Sequence, residues 1–489
     1  MGFMRELRGK ALLSAIMFSA GSSYLLFGYD QGVLGGLVAQ PSFLGAIGNP
    51  SDSFIGLIVA LYNIGCMAGC LVAGAYGNRL GRKPTIIWGS VIMVVGGTIQ
   101  AATYGSTQLI VGRLVSGVGN GMITSTVPVY VSECSPAKRR GGAIAGQMSI
   151  VIFGTVLAYW LDYGTIKHLS GENAFALVTL ATLPLLPETP RWLFSHGFHQ
   201  ESLQVIGRLL DCGTDDPRVI AMEESMLEAL RLEEDSPKYS WHDVLNDKSP
   251  IKNTRRLIIC FFIQFWQQFT GINVIAFYVT IVLEVNVGFT RETSSLVAGI
   301  VQIAFWLGTL PPIILLDKYG RRPMLMMGSV ALLISMSIFT AGIAVGSTQS
   351  AKLALAMLFL YEISFGMSWD SIPWLYAAEI TPLRLRHMGS AIATFSEWLW
   401  TFVIALITPY AIRNAGWKFY LLFIIMISGG LVFTFFFFPE TNGKTLEEID
   451  YIFVKRPRDI EGTPTSTELE SPPRKVDEEV TTTQDHVEE

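Results

Sequence analysis

Long apolar runs separated by short polar loops dominate this chain. They form a first series near 11–37, 53–76, 85–104, 108–131 and 141–163, and a second near 256–286, 293–316, 324–346, 351–379, 388–411 and 416–438. A helix needs about 20 apolar residues to cross a bilayer, so each run predicts a spanning helix. The stretch from Asn173 to Leu186 is apolar but short, and we count it as a shortened sixth span. The pattern predicts an all-α membrane protein with about twelve spans.

Two polar stretches divide the chain further. The first separates the two series and contains a Glu- and Leu-rich part, Glu201 to Glu234, whose pattern favours helix. The second follows residue 455 and is rich in Pro, Thr, Ser, Glu and Asp, a composition typical of disorder. We predict a transmembrane half at 1–187, a cytoplasmic linker with short helices at 188–254, a second transmembrane half at 255–440, and a mostly disordered cytoplasmic tail at 441–489.

Composition and charge agree with a membrane location. The chain is 50% hydrophobic and only 15% charged, whereas soluble domains carry about 25% charged residues. Basic residues gather in alternate loops, while the loops at 38–52 and 103–108 contain no Lys or Arg. Because positive loops favour the cytoplasmic side, we expect the basic loops and both termini to be cytoplasmic.

The two series repeat the same polar motifs. Arg79-Leu-Gly-Arg-Lys-Pro84 follows the second span, and Asp317-Lys-Tyr-Gly-Arg-Arg-Pro323 follows the eighth. Likewise, Pro128-Val-Tyr-Val-Ser-Glu133 with Arg140 corresponds to Ala378-Glu379-Ile-Thr-Pro382 with Arg386. Repetition over this distance indicates two duplicated halves, a plan in which transporters hold the substrate between the halves.

Further motifs complete a resemblance to a known family. They are Pro187-Glu-Thr-Pro-Arg191-Trp, Gln267-Gln268-Phe-Thr-Gly271-Ile-Asn273 and Pro439-Glu-Thr-Asn-Gly443-Lys. With the motifs above, in this order, the chain resembles the sugar porter family of the major facilitator superfamily, most of all its fungal-type monosaccharide/proton symporters. The resemblance implies two pseudo-symmetric six-helix halves and a cytoplasmic gate of charged residues: Arg79, Arg82, Glu133, Arg140, Glu188, Arg191, Asp317, Arg321, Glu379, Arg386 and Glu440.

A gate of this kind has a physical rationale. Exposed ion pairs contribute only about 0–1 kcal/mol each, which suits contacts that close one face and break when it opens. The alternative is that the basic residues only anchor the helices at the cytoplasmic side. That alternative accounts for the Arg and Lys residues but leaves the accompanying Glu residues unexplained.

Amides in apolar spans are candidates for substrate binding. Gln264, Gln267 and Gln268 lie on one side of a predicted helix, and Gln147 lies in the fifth span. A primary amide both donates and accepts hydrogen bonds, as neighbouring sugar hydroxyls do. The resemblance assigns hexose contacts to Gln147, Gln267, Gln268 and Asn273. Hydrogen bonding between helices is the alternative role.

Two tryptophans are further candidates. Trp374 follows Pro373 and matches the family's tenth-span tryptophan, whose flat face can cover a pyranose while its N–H reaches a hydroxyl. Pro373 removes a helix hydrogen bond and favours bending. Interfacial anchoring is the alternative role for Trp374. Trp398 is a second candidate for substrate binding.

One acidic residue in the first span suggests proton coupling. A charge at mid-membrane costs about 2.5–3.5 kcal/mol on insertion scales, so Asp30 needs a partner, and Arg113 in the fourth span is the natural one. Resemblance to proton-coupled family members supports this pair, and we predict sugar/proton symport. A purely structural ion pair is the alternative.

The chain departs from the family pattern at three places. Glu397 precedes Trp398 where many hexose carriers have Asn, and Asp370 lies four residues before Trp374. These two acids are candidates for substrate contact, for proton binding or for pairing with an unseen cation, and the sequence leaves these alternatives open. The third departure is the short segment between Tyr163 and Pro187, where the family has a full sixth helix.

These observations predict a secondary active transporter of a monosaccharide, hexose or pentose, that works by alternating access. A polyol, glycerol or quinate carrier and a non-transporting sugar sensor are alternatives. An enzyme is not expected, since no phosphate-binding loop or Cys/His metal cluster is present in the sequence. We expect no cofactor besides the coupling proton, no metal site, no catalytic residue and no nucleic-acid partner. The expected partners are a small sugar or polyol and membrane lipid, in the plasma membrane, with the oligomeric state left open.

Overall fold

The computed structural model describes residues 6–37, 44–45, 47–136, 139–164, 179–234, 252–382, 385–444, 449 and 452–453. The first half contains five long helices. They are α1 (Gly9–Leu37), α2 (Asp52–Leu80), α3 (Arg82–Ala101), α4 (Ser106–Cys134) and α5 (Arg140–Gly164). Each has the length that a bilayer crossing requires.

Three shorter helices, α6 (Pro190–Ser195), α7 (His199–Leu210) and α8 (Pro217–Glu234), fall in the predicted linker. The second half follows with α9 (Asn253–Gln268), α10 (Ile272–Val282), α11 (Arg291–Thr309), α12 (Pro312–Tyr319), α13 (Arg321–Val345), α14 (Thr348–Met367), α15 (Ile372–Ile380), α16 (Arg386–Ala415) and α17 (Lys418–Phe437). In the described parts of the chain, all regular structure is helical, as the sequence predicted.

Three spans of the second half are broken, and each break follows from local chemistry. Between α9 and α10, Gly271 adopts a left-handed φ of 98°, which favours glycine because it has no Cβ. Consecutive prolines, Pro311 and Pro312, separate α11 from α12 and remove helix hydrogen bonds. The third break lies between α14 and α15, at residues 368–371. Discontinuous helices free backbone carbonyls near mid-membrane, where transporters place their binding sites.

Hydropathy alone identifies ten spans among the described residues. The long helix α4 is not one of them because it carries Arg113, Glu133 and several Ser, Thr and Gly residues, and most of its side chains are buried. Its glycines allow close packing: a Cβ on Gly121 would lie 2.0 Å from the carbonyl oxygen of Cys66 on α2. The polar residues of α4 therefore face protein and leave the lipid contact to its neighbours.

Two sequence predictions fall largely outside the described residues. Of the sixth span predicted at Asn173 to Leu186, only 179–186 is described, with a 3₁₀ turn at Leu183–Leu185. The predicted disordered tail is described only at 441–444, Ile449, Ile452 and Phe453. Ile449 and Phe453 are buried, and the Phe453 ring lies 4.3 Å from the Arg256 guanidinium of α9. The shortened sixth span and the disorder of the tail stay predictions.

Candidate functional site

A central cavity lies between the two halves, with about 680 Å³ of empty space when the open solvent at its mouth is included. Residues of both halves form its wall: Phe27, Gln31, Met148, Val151, Ile152 and Thr155 from the first, and Gln267, Gln268, Ile272, Asn273, Ala276, Phe277, Gln302, Phe305, Phe365, Asp370, Trp374, Glu397 and Thr401 from the second. The wall combines apolar surface with amides, a hydroxyl pair and two carboxyls.

Gln267 occupies the break in the tenth span. Its Nε2 donates to the carbonyl oxygens of Trp369, at 2.7 Å, and Asp370, at 3.3 Å. These carbonyls are available because the helix is interrupted there. The Oε1 of Gln267 has no protein partner although the residue is only 3% exposed. One end of the amide therefore holds the break, and the other is an acceptor without a protein partner at the cavity wall.

Gln268 and Asn273 form a second polar cluster. The Oε1 of Gln268 accepts a hydrogen bond from Asn273 Nδ2 and another from Thr401 Oγ1, at 3.1 Å. The Asn273 amide also lies 3.1 Å from the Thr401 hydroxyl. The left-handed turn at Gly271 brings Asn273 back beside Gln268. This cluster joins α9, α10 and α16 at the cavity wall.

The other predicted substrate contacts differ in whether they line the cavity. Trp374 lines the cavity. Gln147 and Trp398 are buried but are not among the described lining residues. The Gln147 amide donates to the carbonyl of Met17 on α1, at 3.1 Å, which is the helix-to-helix role that the sequence left open. Trp398 packs edge-on against Phe27, with ring centroids 5.5 Å apart, and so lies behind the cavity wall.

The predicted pair of Asp30 and Arg113 is present and buried. Arg113 Nη1 lies 3.9 Å from Asp30 Oδ1, and the two side chains are each 3% exposed. This distance exceeds hydrogen-bond length. Asp30 Oδ2 has no protein partner, whereas Arg113 Nη2 donates to the Val59 carbonyl at 3.4 Å. The attraction is therefore electrostatic, without a direct hydrogen bond.

An aromatic chain connects this pair to the cavity. Phe27 lines the cavity and contacts Trp398. Trp398 in turn packs edge-on against Tyr62, with centroids 6.1 Å apart, and the Tyr62 ring lies 4.4 Å below the Arg113 guanidinium. A cation over an aromatic face is attracted by the ring quadrupole. Movement of the cavity wall can thus reach Arg113 through packed rings.

The wall also contains residues that the sequence analysis did not select. Gln302 on α11 is fully buried, and neither end of its amide has a partner. Phe27 and Thr155 are two of the lining residues that the first half contributes. A lone amide in an apolar span was the available signal for Gln302, since an unpaired buried amide is costly. Asp370 and Glu397, whose role the sequence left open, both line the cavity.

The predicted gate residues cluster at one end of the molecule, which we call the basic face. In the first half, Arg82 Nη2 lies 3.0 Å from Glu133 Oε1. Glu188 accepts hydrogen bonds from the backbone N–H groups of Lys83 and Thr189, each at 2.9 Å. Burial raises the pKa of the Glu188 carboxyl, although these two donors oppose the shift.

The second half repeats this arrangement. Arg321 bridges Glu379, at 2.8 Å, and Asp317, at 3.2 Å. Glu440 accepts hydrogen bonds from the backbone N–H groups of Arg321 and Arg322, at 3.0 and 2.9 Å. Glu188 and Glu440 therefore neutralise the N-terminal ends of α3 and α13, where a negative charge is favoured. Among the described residues, the predicted network therefore forms two related clusters, one in each half.

The remaining gate residues are placed as follows. Arg140 Nε donates to the Ser132 carbonyl, at 3.3 Å, Arg79 is exposed, and Arg191 is partly buried. The side chain of Arg386 lies outside the described residues. Between the halves, Asp317 Oδ2 accepts a hydrogen bond from the Gly142 N–H, at 3.0 Å. Asp317 is thus the residue that joins the gate cluster of the second half to the first half.

Contacts between the halves also occur away from the basic face. Thr280 Oγ1 donates to the Gly35 carbonyl, at 3.2 Å, and Tyr159 Oη donates to the Ala276 carbonyl, at 2.7 Å. Gly35 and Thr280 lie toward the helix ends opposite the basic face. The cavity therefore lies between two sets of contacts, one at each side.

Comparison with known proteins supports this architecture. The model of the family described as "Sugar (and other) transporter" matches residues 15–453. The chain belongs to this family. A sugar transporter of Saccharomyces cerevisiae, STL1, is 34% identical over 92% of this chain and 82% of its own length. An MFS-type transporter of Aspergillus oryzae, oryC, is 33% identical over 88% of this chain and 84% of its own.

A solved structure shows the same fold. It is the proton:xylose symporter XylE bound to 6-bromo-6-deoxy-D-glucose, with a TM-score of 0.79 and 25% identity, covering 91% of this chain and all (100%) of that chain. The major facilitator fold predicted from the sequence is confirmed. The protein is accordingly a multi-pass membrane transporter of the sugar porter type.

The glycine that precedes α13 gives a stability prediction for this transporter. Gly320 has a left-handed φ of 93°, and an added Cβ would lie 2.7 Å from Glu440 Oε2. With ψ at 168°, this backbone conformation is open essentially to glycine alone and costs other residues about 1–3 kcal/mol, so Gly320→Ala should lower the unfolding free energy by about that amount. Gly146→Ala is the control, because its Cβ would meet no atom within 4 Å. Equal thermal unfolding temperatures for the two purified variants would contradict this account of the gate.

Proposed function

We propose that the protein moves a neutral monosaccharide across the membrane by alternating access, together with a proton. The observation that carries this proposal is the cavity wall, where Gln267 Oε1 and both ends of the Gln302 amide lack protein partners. Buried polar atoms without partners are costly, and a polyhydroxylated ligand supplies both donors and acceptors. Trp374 offers a flat apolar face beside them.

The charge of the cavity narrows the substrate class. Its lining contains the carboxyls of Asp370 and Glu397, and no Lys, Arg or His is among the described lining residues. A substrate carboxylate would be buried in this cavity without a compensating cation. This disfavours quinate and sugar acids among the alternatives. Hexoses, pentoses and uncharged polyols, glycerol included, fit the wall.

Proton coupling is supported by the buried pair of the first half. Without a direct hydrogen bond to Arg113, the Asp30 carboxylate is open to protonation. Protonation removes the charge that attracts Arg113, and the aromatic chain from Tyr62 to Phe27 can carry the resulting shift to the cavity. The symporter XylE, which is named for proton:xylose transport, is a relative with the same fold and supports this mechanism.

Alternating access would use the two sets of contacts between the halves. The Asp317 to Gly142 contact closes the basic face, and the Thr280 to Gly35 contact closes the opposite side. Opening to either side breaks one set while the other holds. Because basic loops favour the cytoplasm, the basic face would be cytoplasmic, with both termini on that side, in the plasma membrane.

An uptake panel tests this proposal. Cells that lack sugar carriers would express the protein and receive labelled hexoses, pentoses, polyols, glycerol and a sugar acid, with and without a protonophore. We expect uptake of at least one neutral monosaccharide, its loss of accumulation with the protonophore, and no uptake of the acid. Uptake of polyols or glycerol alone would show that the substrate is a polyol and not a monosaccharide. Binding of sugar without flux would favour the sensor alternative.

A further inference from the structure

The wall contributed by the second half contains an unusual group of acids. Asp370 is 6% exposed and its Oδ2 has no protein partner. Glu397 is partly buried, and its Oε2 also has no partner. Behind them, Glu362 is 0% exposed, and neither of its carboxylate oxygens has a partner. These acids lie within the spanning helices α14 and α16 or at the break between α14 and α15.

The groups that face this pair of cavity acids carry no positive charge. Glu362 interacts electrostatically with Asp370, and Asp370 with Glu397. The Gln268 amide on α9 and the Cys70 thiol on α2 lie near the Glu397 carboxyl. Gln267 binds the backbone carbonyl of Asp370. Among the described lining residues no cation is present, and the buried Arg113 faces Asp30.

The ionised form of these carboxyls is therefore energetically unfavourable in this environment. An unpaired ionised carboxylate at mid-membrane costs several kcal/mol, and such a group neutralises by binding a proton unless a cation joins it. Two carboxylates close together strengthen this effect, because each disfavours the charge of the other.

The free hydrogen-bonding atoms of the wall also favour a protonated carboxyl. Gln302 is 0% exposed, lines the cavity and has a free Oε1, as does Gln267. With both acids ionised, the fully buried free atoms of the described lining residues are all acceptors except the amide nitrogen of Gln302. Sugar hydroxyls need donors as well as acceptors. A carboxyl O–H supplies a further donor, and the free amide oxygens can accept from it.

We propose that Asp370 and Glu397 bind a proton of their own, so that the carrier moves two protons with each sugar. This rests on the proposed proton coupling at Asp30 and adds a second site to it. A proton from the outer solution adds to a carboxylate oxygen of the pair and forms the O–H that hydrogen-bonds the sugar. The same proton leaves that oxygen for water when the cavity opens to the cytoplasm.

The coupling ratio tests this inference directly. Purified protein in liposomes clamped at zero potential is given a series of pH gradients, and the sugar ratio at zero net flux is measured at each. Two protons give a slope of two for the logarithm of that ratio against the pH difference, which is about 100-fold accumulation per pH unit, whereas one proton gives about 10-fold. We expect a slope of two for the wild type.

Variants locate the protons. Asp370→Asn with Glu397→Gln should lower the slope to one, Asp30→Asn should also give one, and all three changes should give zero. Glu292→Gln, an exposed acid at the start of α11, is the matched control and should keep a slope of two. If the double variant does not transport, Asp370→Asn alone is used. The wild-type slope still distinguishes one coupled proton from two.

The outcomes separate the two proposals. A wild-type slope of one that falls to zero in Asp30→Asn overturns the second site and leaves coupling at Asp30 intact. A slope of two that Asp30→Asn does not change overturns the role of Asp30. A third outcome is a slope of one together with preferred uptake of a protonated amino sugar, where the preference is lost in Asp370→Asn. This result overturns the second proton and shows that the two acids bind a cationic substrate instead.

Discussion

Replacing Asp30 by Asn should reduce pH-driven sugar accumulation about tenfold per pH unit, while sugar exchange at equal concentrations continues. Asn cannot take up a proton, so one coupled proton is lost, and one pH unit corresponds to a tenfold ratio. Exchange persists because Asp30 is not among the described cavity-lining residues, and Asn keeps nearly the same volume. The measurement is accumulation and exchange of labelled sugar in liposomes that contain the purified variant.

The control for this experiment is the exposed acid Glu292. Glu292→Gln removes a carboxylate outside the cavity and should keep both activities. If Asp30→Asn accumulates sugar as the wild type does, the pair with Arg113 is structural. If the variant instead fails to fold, Arg113→Ala in the same background should restore it, because an unpaired buried Arg is the cause expected for such a failure.

Replacing Gln267 by Leu should reduce kcat/KM for sugar about 10- to 100-fold. The amide holds the Trp369 and Asp370 carbonyls at the break between α14 and α15 and presents a free Oε1 to the cavity. Leaving such buried polar groups unsatisfied costs about 1–3 kcal/mol, which corresponds to this range. Initial rates of labelled sugar uptake over a concentration series give the value.

Gln264→Leu is the matched control on the same helix. Gln264 lies one turn before Gln267 and is fully buried, but it is not among the described lining residues and no hydrogen bond of its amide is present. Its replacement should keep kcat/KM within about twofold, since no cavity group is lost. Equal losses in the two variants would show that the Gln267 effect arises from helix packing.

The fold could be predicted from the sequence because its signals are local. Apolar runs of spanning length placed the helices, and repeated motifs revealed the two halves. The helix breaks had local signals as well, at Gly271 and at Pro311 with Pro312. The span α4 was predicted from its sequence although its polar residues make it too polar for a hydropathy criterion. Those polar residues are buried in the protein.

The site was only partly predictable because it depends on contacts between distant segments. Asp30 and Arg113 were paired from their charge and from the family resemblance, and the structure places the two side chains 3.9 Å apart. Helical spacing does not fix which face meets the cavity, so Gln147, bonded to Met17, and Trp398, behind Phe27, were expected in the lining. Gln302 was missed because a single amide in an apolar span carries no motif.

The gate shows the same limit. Charge pattern and resemblance indicated a network, yet they did not show that Arg82 and Arg321 serve separate clusters. The contact of Asp317 with the Gly142 backbone depends on a glycine pair that lets two helix ends approach closely. An added Cβ on Gly141 would lie 2.2 Å from Asp317 Oδ1. Such backbone contacts leave little trace in a single sequence.

Flux through purified protein tests the central claim, that this cavity carries a neutral sugar with protons. Liposomes that contain only this protein would be loaded at alkaline pH and diluted into acidic buffer with a labelled monosaccharide. The account predicts that the sugar inside rises above its outside concentration and falls back when a protonophore collapses the gradient. Entry that stops at equal concentrations, unchanged by the pH gradient, would contradict it.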